Sequence, residues 1–180
     1  SEYRLVYEPV IESGNHRLAV SGASSRASMS ILAFGINHTT ASVDIRGRVA
    51  FAPEIVIESL QQALSHLAGD EIALLSTCNR TEIYLFGEVS DEQLLNWLAE
   101  HKNIDVEQLQ SCYYCHRDQQ AVRHIMRVAS GLDALVLGEP QIFGQIKSAY
   151  AVGREAGTVS TFLNQIFQYL RIFFPTGIIF

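Results

Sequence analysis

The strongest constraint on this chain is a polar stretch, Ser76-Thr77-Cys78-Asn79-Arg80-Thr81-Glu82, set between two apolar runs at 72–75 and 83–86. Each run is too short for a helix and is rich in branched or aromatic side chains, so each reads as a strand, with expected bounds 72–76 and 81–87. Flanking strands fix the backbone of the turn, which can then present sulfur, amide and guanidinium to one cavity. Two readings of Cys78 compete. In one it packs as a small hydrophobe at a strand edge. In the other it is a nucleophile, and Arg80, two residues away, is a fixed cation that favours the reactive thiolate.

The elements around the turn predict an α+β fold: a small four-stranded sheet with packed helices, followed by a helical subdomain. Residues 30–36 read as the first strand, and His38 just beyond it is a candidate for lining a site. The loop 39–45 leads into a short helical turn at 46–51. Pro53 opens a helix to Leu67, with Ile55, Leu60, Ala63, Leu64 and Leu67 at helical spacing. Ser90 caps a helix with an acidic first turn that carries Leu94, Leu95, Trp97 and Leu98 inward. A fourth strand is expected at 111–115. A helix over 118–130 then carries Val122, Ile125, Met126 and Ala129 as its apolar stripe, with His124 and Arg127 on another face. Residues 131–138 read as a loop entering a helix that begins at Pro140 and runs to about 156, with Gln141 and Gln145 four apart on one face. Ser160 starts the last helix. Residues 1–28, rich in Ser, Gly and Ala without a sustained period, read as an extension outside the fold. The domain is expected over 29–168. The apolar 169–180, interrupted by Pro175 and Gly177, reads as an atypical tail and an aggregation hazard if exposed.

No apolar run approaches membrane-helix length, and the opening lacks the basic-then-apolar pattern of a secretory signal. A cytoplasmic protein without a membrane partner is expected. Three cysteines without framework spacing suit a reducing compartment. Cys112-Tyr113-Tyr114-Cys115-His116 matches the C-x-x-C-H pattern of covalent haem attachment. That chemistry needs an exported protein, and zinc would need two more ligands, for which Cys78 and His124 are the nearest in sequence. Side chains alternating along a strand explain the pattern better, and no metal is expected. A formal net charge of −6 argues against a general nucleic-acid binder, which needs a basic stripe to neutralise phosphates.

STCNRTEIY resembles the active-site segment of the glutamyl-tRNA reductase family. FGINHTTASVDIRGRVAF (34–51) and HIMRVASGLDALVLGEPQIFGQIKSAY (124–150) are similar to the same family in the same order. The resemblance runs from about 29 to 168, and the TCNR and LGEPQI segments together are very specific. It implies an enzyme of tetrapyrrole (5-aminolevulinate, porphyrin) biosynthesis that reduces glutamyl-tRNA to glutamate-1-semialdehyde through a cysteine thioester. It implies Cys78 and His124 as catalytic residues. Thr77, Asn79, Arg80, Ala134, Glu139, Pro140, Gln141 and Gln145 would bind the glutamyl group, with Arg46 and Arg48 as further candidates near its pocket. Ala134 stands where the family often has Ser, so one pocket hydrogen bond is expected to be missing or replaced.

The resemblance also implies NADPH as cofactor, but no G-x-G-x-x-G follows any strand, so no cofactor residue is expected in this chain. The acidic balance fits a region that holds only the acylated end of the tRNA. Glutamyl-tRNA is the expected partner, with the next enzyme of the pathway, an aminomutase, as a second. The final twelve residues depart from the family pattern and read as a shifted frame or a truncation. A catalytic domain without its cofactor and dimerisation regions is expected, as a monomer; the competing reading is a fragment that binds glutamyl-tRNA or a protein without turnover.

Overall fold

The computed structural model describes residues 30–133 and 141–173. Four strands form one sheet: β1 (Ser30–Asn37), β2 (Glu71–Ser76), β3 (Arg80–Gly87) and β4 (Tyr114–Arg117). Their order is β2-β3-β1-β4 and every pairing is antiparallel. Between β1 and β2 lie α1 (Val43–Val49), a 3-10 turn (Pro53–Ile55) and α2 (Val56–Leu67). Because β3 inserts between β1 and β2, this is a split β-α-β unit. With α3 (Asp91–Lys102) and α4 (Val106–Gln110) leading to β4, the chain follows the β-α-β-β-α-β ferredoxin-like path.

Both faces of the sheet are covered, which is why β1, β2 and the second half of β3 read as continuous apolar runs and not as alternating ones. On one face Leu32, Phe34, Ile36, Leu74, Ile83 and Leu85 pack with Leu60, Ala63 and Leu67 of α2 and Leu94 and Leu98 of α3. On the other, Ile31, Ala33, Leu75, Tyr84 and Phe86 meet α5 (Asp118–Ala129), α6 (Gln141–Glu155) and α7 (Phe162–Phe173). The helices expected as a following subdomain thus lie directly on the sheet, and α7 continues past Gln168 to Phe173.

Local chemistry sets the element ends. Ser90 accepts from the Gln93 amide while the Gln93 side chain accepts from the Ser90 amide, a reciprocal cap on α3. The buried Glu71 carboxylate accepts four backbone N–H bonds, from Ser160, Thr161, Phe162 and Leu163, and so anchors the start of α7 to β2. Burial pushes the Glu71 carboxyl up, but these amides outweigh it and hold it below its ordinary value.

Several sequence expectations need correction. The turn expected at 46–51 is helix α1, which begins earlier because the Ser42 hydroxyl caps it. The fourth strand lies at Tyr114–Arg117, later than 111–115, because the short α4 occupies part of the chain before it. His124 is not off the buried stripe: it is 8% exposed and faces the sheet with Ala121, Ile125 and Val128. The inward face of α5 is wider than its apolar stripe because the sheet beneath it carries a polar cluster.

Candidate active site

Thr77 to Arg80 form a tight hairpin turn between β2 and β3, closed by the Thr77 amide donating to the Arg80 carbonyl at 2.8 Å. Cys78 and Asn79 are its two tip residues, and neither has positive φ, so this is not the mirror-image turn that favours Asn-Gly. Thr77 compensates. Its hydroxyl oxygen accepts from the amides of Asn79 (3.2 Å) and Arg80 (3.1 Å), a local brace that fixes the turn. Arg46 Nε donates to the Cys78 carbonyl at 3.4 Å and its Nη1 to the Ala41 carbonyl at 2.8 Å, tying α1 to the tip. The Cys78 thiol itself is exposed.

Beneath the turn is a buried ionic cluster centred on Glu82. Strand alternation puts Arg80, Glu82 and Tyr84 on the face that meets α5. Glu82 Oε1 accepts from Arg80 Nη1 (2.7 Å), Tyr114 hydroxyl (2.6 Å) and His124 Nε2 (3.1 Å), and Oε2 accepts from Tyr84 hydroxyl (2.6 Å). Burial alone would raise the Glu82 carboxyl; the bond and charge of His124, then Arg80 and Tyr114, overcome it and hold it down at about 2. Tyr84 and Tyr114 are pushed well up by burial and by Glu82, so both stay neutral donors. Burial works against the Arg80 cation, and Glu82 reverses that, leaving its pKa raised. The His116 imidazole, tilted against His124 with ring centres 4.7 Å apart, is pushed down by burial and by His124.

Arg80 also holds the chain after α5: Nη1 bonds Asp133 Oδ2 at 3.1 Å and Nη2 bonds the Asp133 carbonyl. The guanidinium, 2% exposed, is therefore committed to Glu82 and Asp133, and no hydrogen bond joins it to Cys78 among the described residues. Its route to the turn is through the backbone that Thr77 braces. Glu82, His124 and Asp133 place ligand atoms within 4.8 Å of one another. Arg80 already bonds two of the three carboxylate and imidazole partners with a permanent charge, so the trio is satisfied without a metal.

Of the residues singled out in sequence, Thr77, Cys78, Asn79 and Arg80 share the turn, and Arg80 and His124 meet at Glu82. Gln141 is exposed at the start of α6 and Gln145 is half-buried one turn on; no hydrogen bond links either to the turn among the described residues. Ala134, Glu139 and Pro140 lie outside the described residues. Arg48 reaches Gln108 at 2.9 Å, away from the turn. His38 follows Asn37, which sits opposite Arg80 in the β1–β3 ladder, and its buried Nδ1 has no partner among the described residues. Glu82, Tyr84, Tyr114 and Asp133 join the site without being among the sequence candidates; Arg80 and Glu82 two apart on a strand is the signal that points to them. In the C-x-x-C-H stretch, Cys112 and Cys115 are both free, with burial pushing both thiols up and Cys115 to about 11, and they pack on the opposite face from the cluster. This is not a ligand arrangement.

Residues 34–171 match the family described as glutamyl-tRNAGlu reductase, N-terminal domain. The glutamyl-tRNA reductase of Ectopseudomonas mendocina is 55% identical over 141 residues, covering 78% of this chain and 33% of the relative. That of Pseudomonas fluorescens is 57% identical over the same length and shares. The solved glutamyl-tRNA reductase of Methanopyrus kandleri superposes with a TM-score of 0.62 at 27% identity, covering 78% of this chain and 32% of that one. The chain thus spans about a third of the length of the curated relatives it matches. With a family match over most of its length and more than half of the aligned residues identical to these reductases, this chain belongs to the glutamyl-tRNA reductase N-terminal domain family.

Proposed function

We propose that this chain performs the acyl-transfer half of glutamyl-tRNA reduction in tetrapyrrole synthesis. The Cys78 thiolate attacks the ester carbonyl of glutamyl-tRNA. A carbon–sulfur bond forms, the carbon–oxygen bond to the terminal ribose breaks, and the departing alkoxide takes a proton as the tRNA leaves. Sulfur suits the step because it attacks readily and leaves an acyl group that remains reducible. The observation that carries this reading is the exposed Cys78 at the tip of a braced two-residue turn whose last residue, Arg80, is tied into a buried cluster with Glu82 and His124. The turn holds sulfur in place for a large substrate, as a site on a rigid scaffold requires. His124 is the group we assign to orienting the reacting ester or moving its proton. Thr77, Asn79, Gln141 and Gln145, with Ala134, Glu139 and Pro140, are assigned to holding the glutamyl group. Arg80 acts by clamping the chain at Asp133 that leads toward those last three.

NADPH would supply hydride to the thioester in the second half-reaction. The described residues do not fit it: they hold an antiparallel sheet with no adjacent parallel strands and no glycine-rich strand-to-helix turn to receive a pyrophosphate. No reduction step is assigned to them. No helix among the described residues is long and apolar enough to cross a membrane.

The test is the rate at which the purified chain deacylates glutamyl-tRNA, followed by the loss of charged tRNA on acid gels. Wild type should accelerate deacylation and Cys78→Ser should not, while both retain binding. Binding with no acceleration by wild type would replace this reading with a non-catalytic glutamyl-tRNA-binding role.

A further inference from the structure

Strand β4 lies at the sheet edge, separated from β3 by β1, yet one of its side chains reaches the centre of the cluster. In the two ladders that flank β1, Gly35 sits opposite both Glu82 of β3 and Tyr114 of β4. Adjacent strands are about 4.8 Å apart, so a side chain from β4 must cross roughly twice that to reach β3. Tyr114 does so over Gly35 and donates to Glu82 Oε1 at 2.6 Å. A Cβ at Gly35 would lie 2.7 Å from the Tyr114 hydroxyl and 2.8 Å from Glu82 Cγ, so any side chain there closes the lane.

The same strand flanks His124. Tyr114 and His116, two apart and therefore on one face, place their rings 5.3 Å and 4.7 Å from the His124 ring. His124 Nε2, the Tyr114 hydroxyl and Arg80 Nη1 converge on one oxygen, Glu82 Oε1. Tyr84 provides an internal contrast. It bonds the other oxygen, and its ring lies edge-on to Phe167 of α7, not beside His124.

We infer that Tyr114 is a positioning residue of this site: reaching over Gly35, it fixes Glu82 Oε1 and, with His116, holds the His124 imidazole in its Glu82-bonded pose. The inference rests on the acyl-transfer reading only where activity is the readout. Removing the hydroxyl leaves the ring beside His124 but takes one of the three donors from Oε1, so the carboxylate settles toward Arg80 and the imidazole is misplaced without being removed.

The experiment compares Tyr114→Phe, Tyr84→Phe and wild type by two measurements on the full chain, each variant first shown to unfold cooperatively. The first is the 15N resonance of His124 Nε2, which reports its hydrogen bond and needs no substrate. It should move in Tyr114→Phe and move less in Tyr84→Phe. The second is single-turnover glutamyl transfer at saturating glutamyl-tRNA. Tyr114→Phe should lose about tenfold in rate with half-saturation unchanged, against less than about threefold for Tyr84→Phe. If Tyr114→Phe does not fold, His116→Asn, at a half-exposed position, removes the other flank and should move the same resonance. An unmoved His124 resonance, or equal effects of the two hydroxyl deletions, overturns the inference. If wild type transfers no glutamyl group, the functional reading fails and the resonance alone decides this one.

Discussion

Replacing Glu82 with Gln tests whether the buried cluster is held by charge. Glu82 is fully buried and Arg80 is 2% exposed, so neutralising the carboxylate leaves the guanidinium with Asp133 as its remaining acid. It also turns an amide NH2 toward donors from Arg80, Tyr114, His124 or Tyr84. Breaking a buried ion pair by removing one partner costs about 3–5 kcal/mol. A second route agrees. The carboxyl is held down from an ordinary 4.5 to about 2, and at 1.36 kcal/mol per pH unit this linkage is worth ~3 kcal/mol. Because the folded value is depressed, that stability is complete above the ordinary value and is lost as pH falls toward 2. Urea unfolding of Glu82→Gln at pH 7 should therefore show a deficit of about 3 kcal/mol or more against wild type, shrinking when both are measured at pH 3. A deficit under about 1 kcal/mol at pH 7, or one that does not shrink in acid, would refute the charge-based account.

Two further outcomes follow from the same contacts. Glu71→Gln keeps one carbonyl acceptor but loses the charge on the four amides at the start of α7, and should cost about 1–3 kcal/mol. Amide hydrogen exchange at Phe162 and Leu163 should speed up, and in wild type this anchor should weaken as pH falls below the ordinary carboxylate range, since the Glu71 value is lowered. Iodoacetamide at neutral pH should label Cys78 first, with Cys112 and Cys115 protected by burial and by thiols pushed up, as read by peptide mass mapping.

Strands β1, β2 and β3 were legible because each holds a short apolar run with its own punctuation, and the β2–β3 hairpin announced itself through the polar turn that joins them; β4, Tyr-Cys-His-Arg, has no such run and was placed too early. Helix α3 was legible from Ser90 and Gln93, whose reciprocal cap is a local signal. Less legible were elements that depend on distant partners. The chain reads His124 as off-stripe because periodicity counts only apolar residues, whereas α5 packs on a patch of sheet whose buried groups are Glu82 and Tyr114. The three residues that define that patch, Gly35, Glu82 and Tyr114, are 32 or more apart in sequence and meet only through strand register. Nearness in sequence makes Arg80 read as a partner for the thiol. Alternation turns its side chain under the sheet to Glu82, and only its backbone serves the tip.

The most direct measurement is the intact mass of the chain after brief incubation with glutamyl-tRNA, with Cys78→Ser beside it. The expected result is one glutamyl group added to the wild type, located on Cys78 by peptide mapping and lost on treatment with hydroxylamine, and none on the variant. A folded wild-type chain that binds glutamyl-tRNA but gains no mass, or a variant that gains as much, would contradict the assignment of Cys78 as the nucleophile.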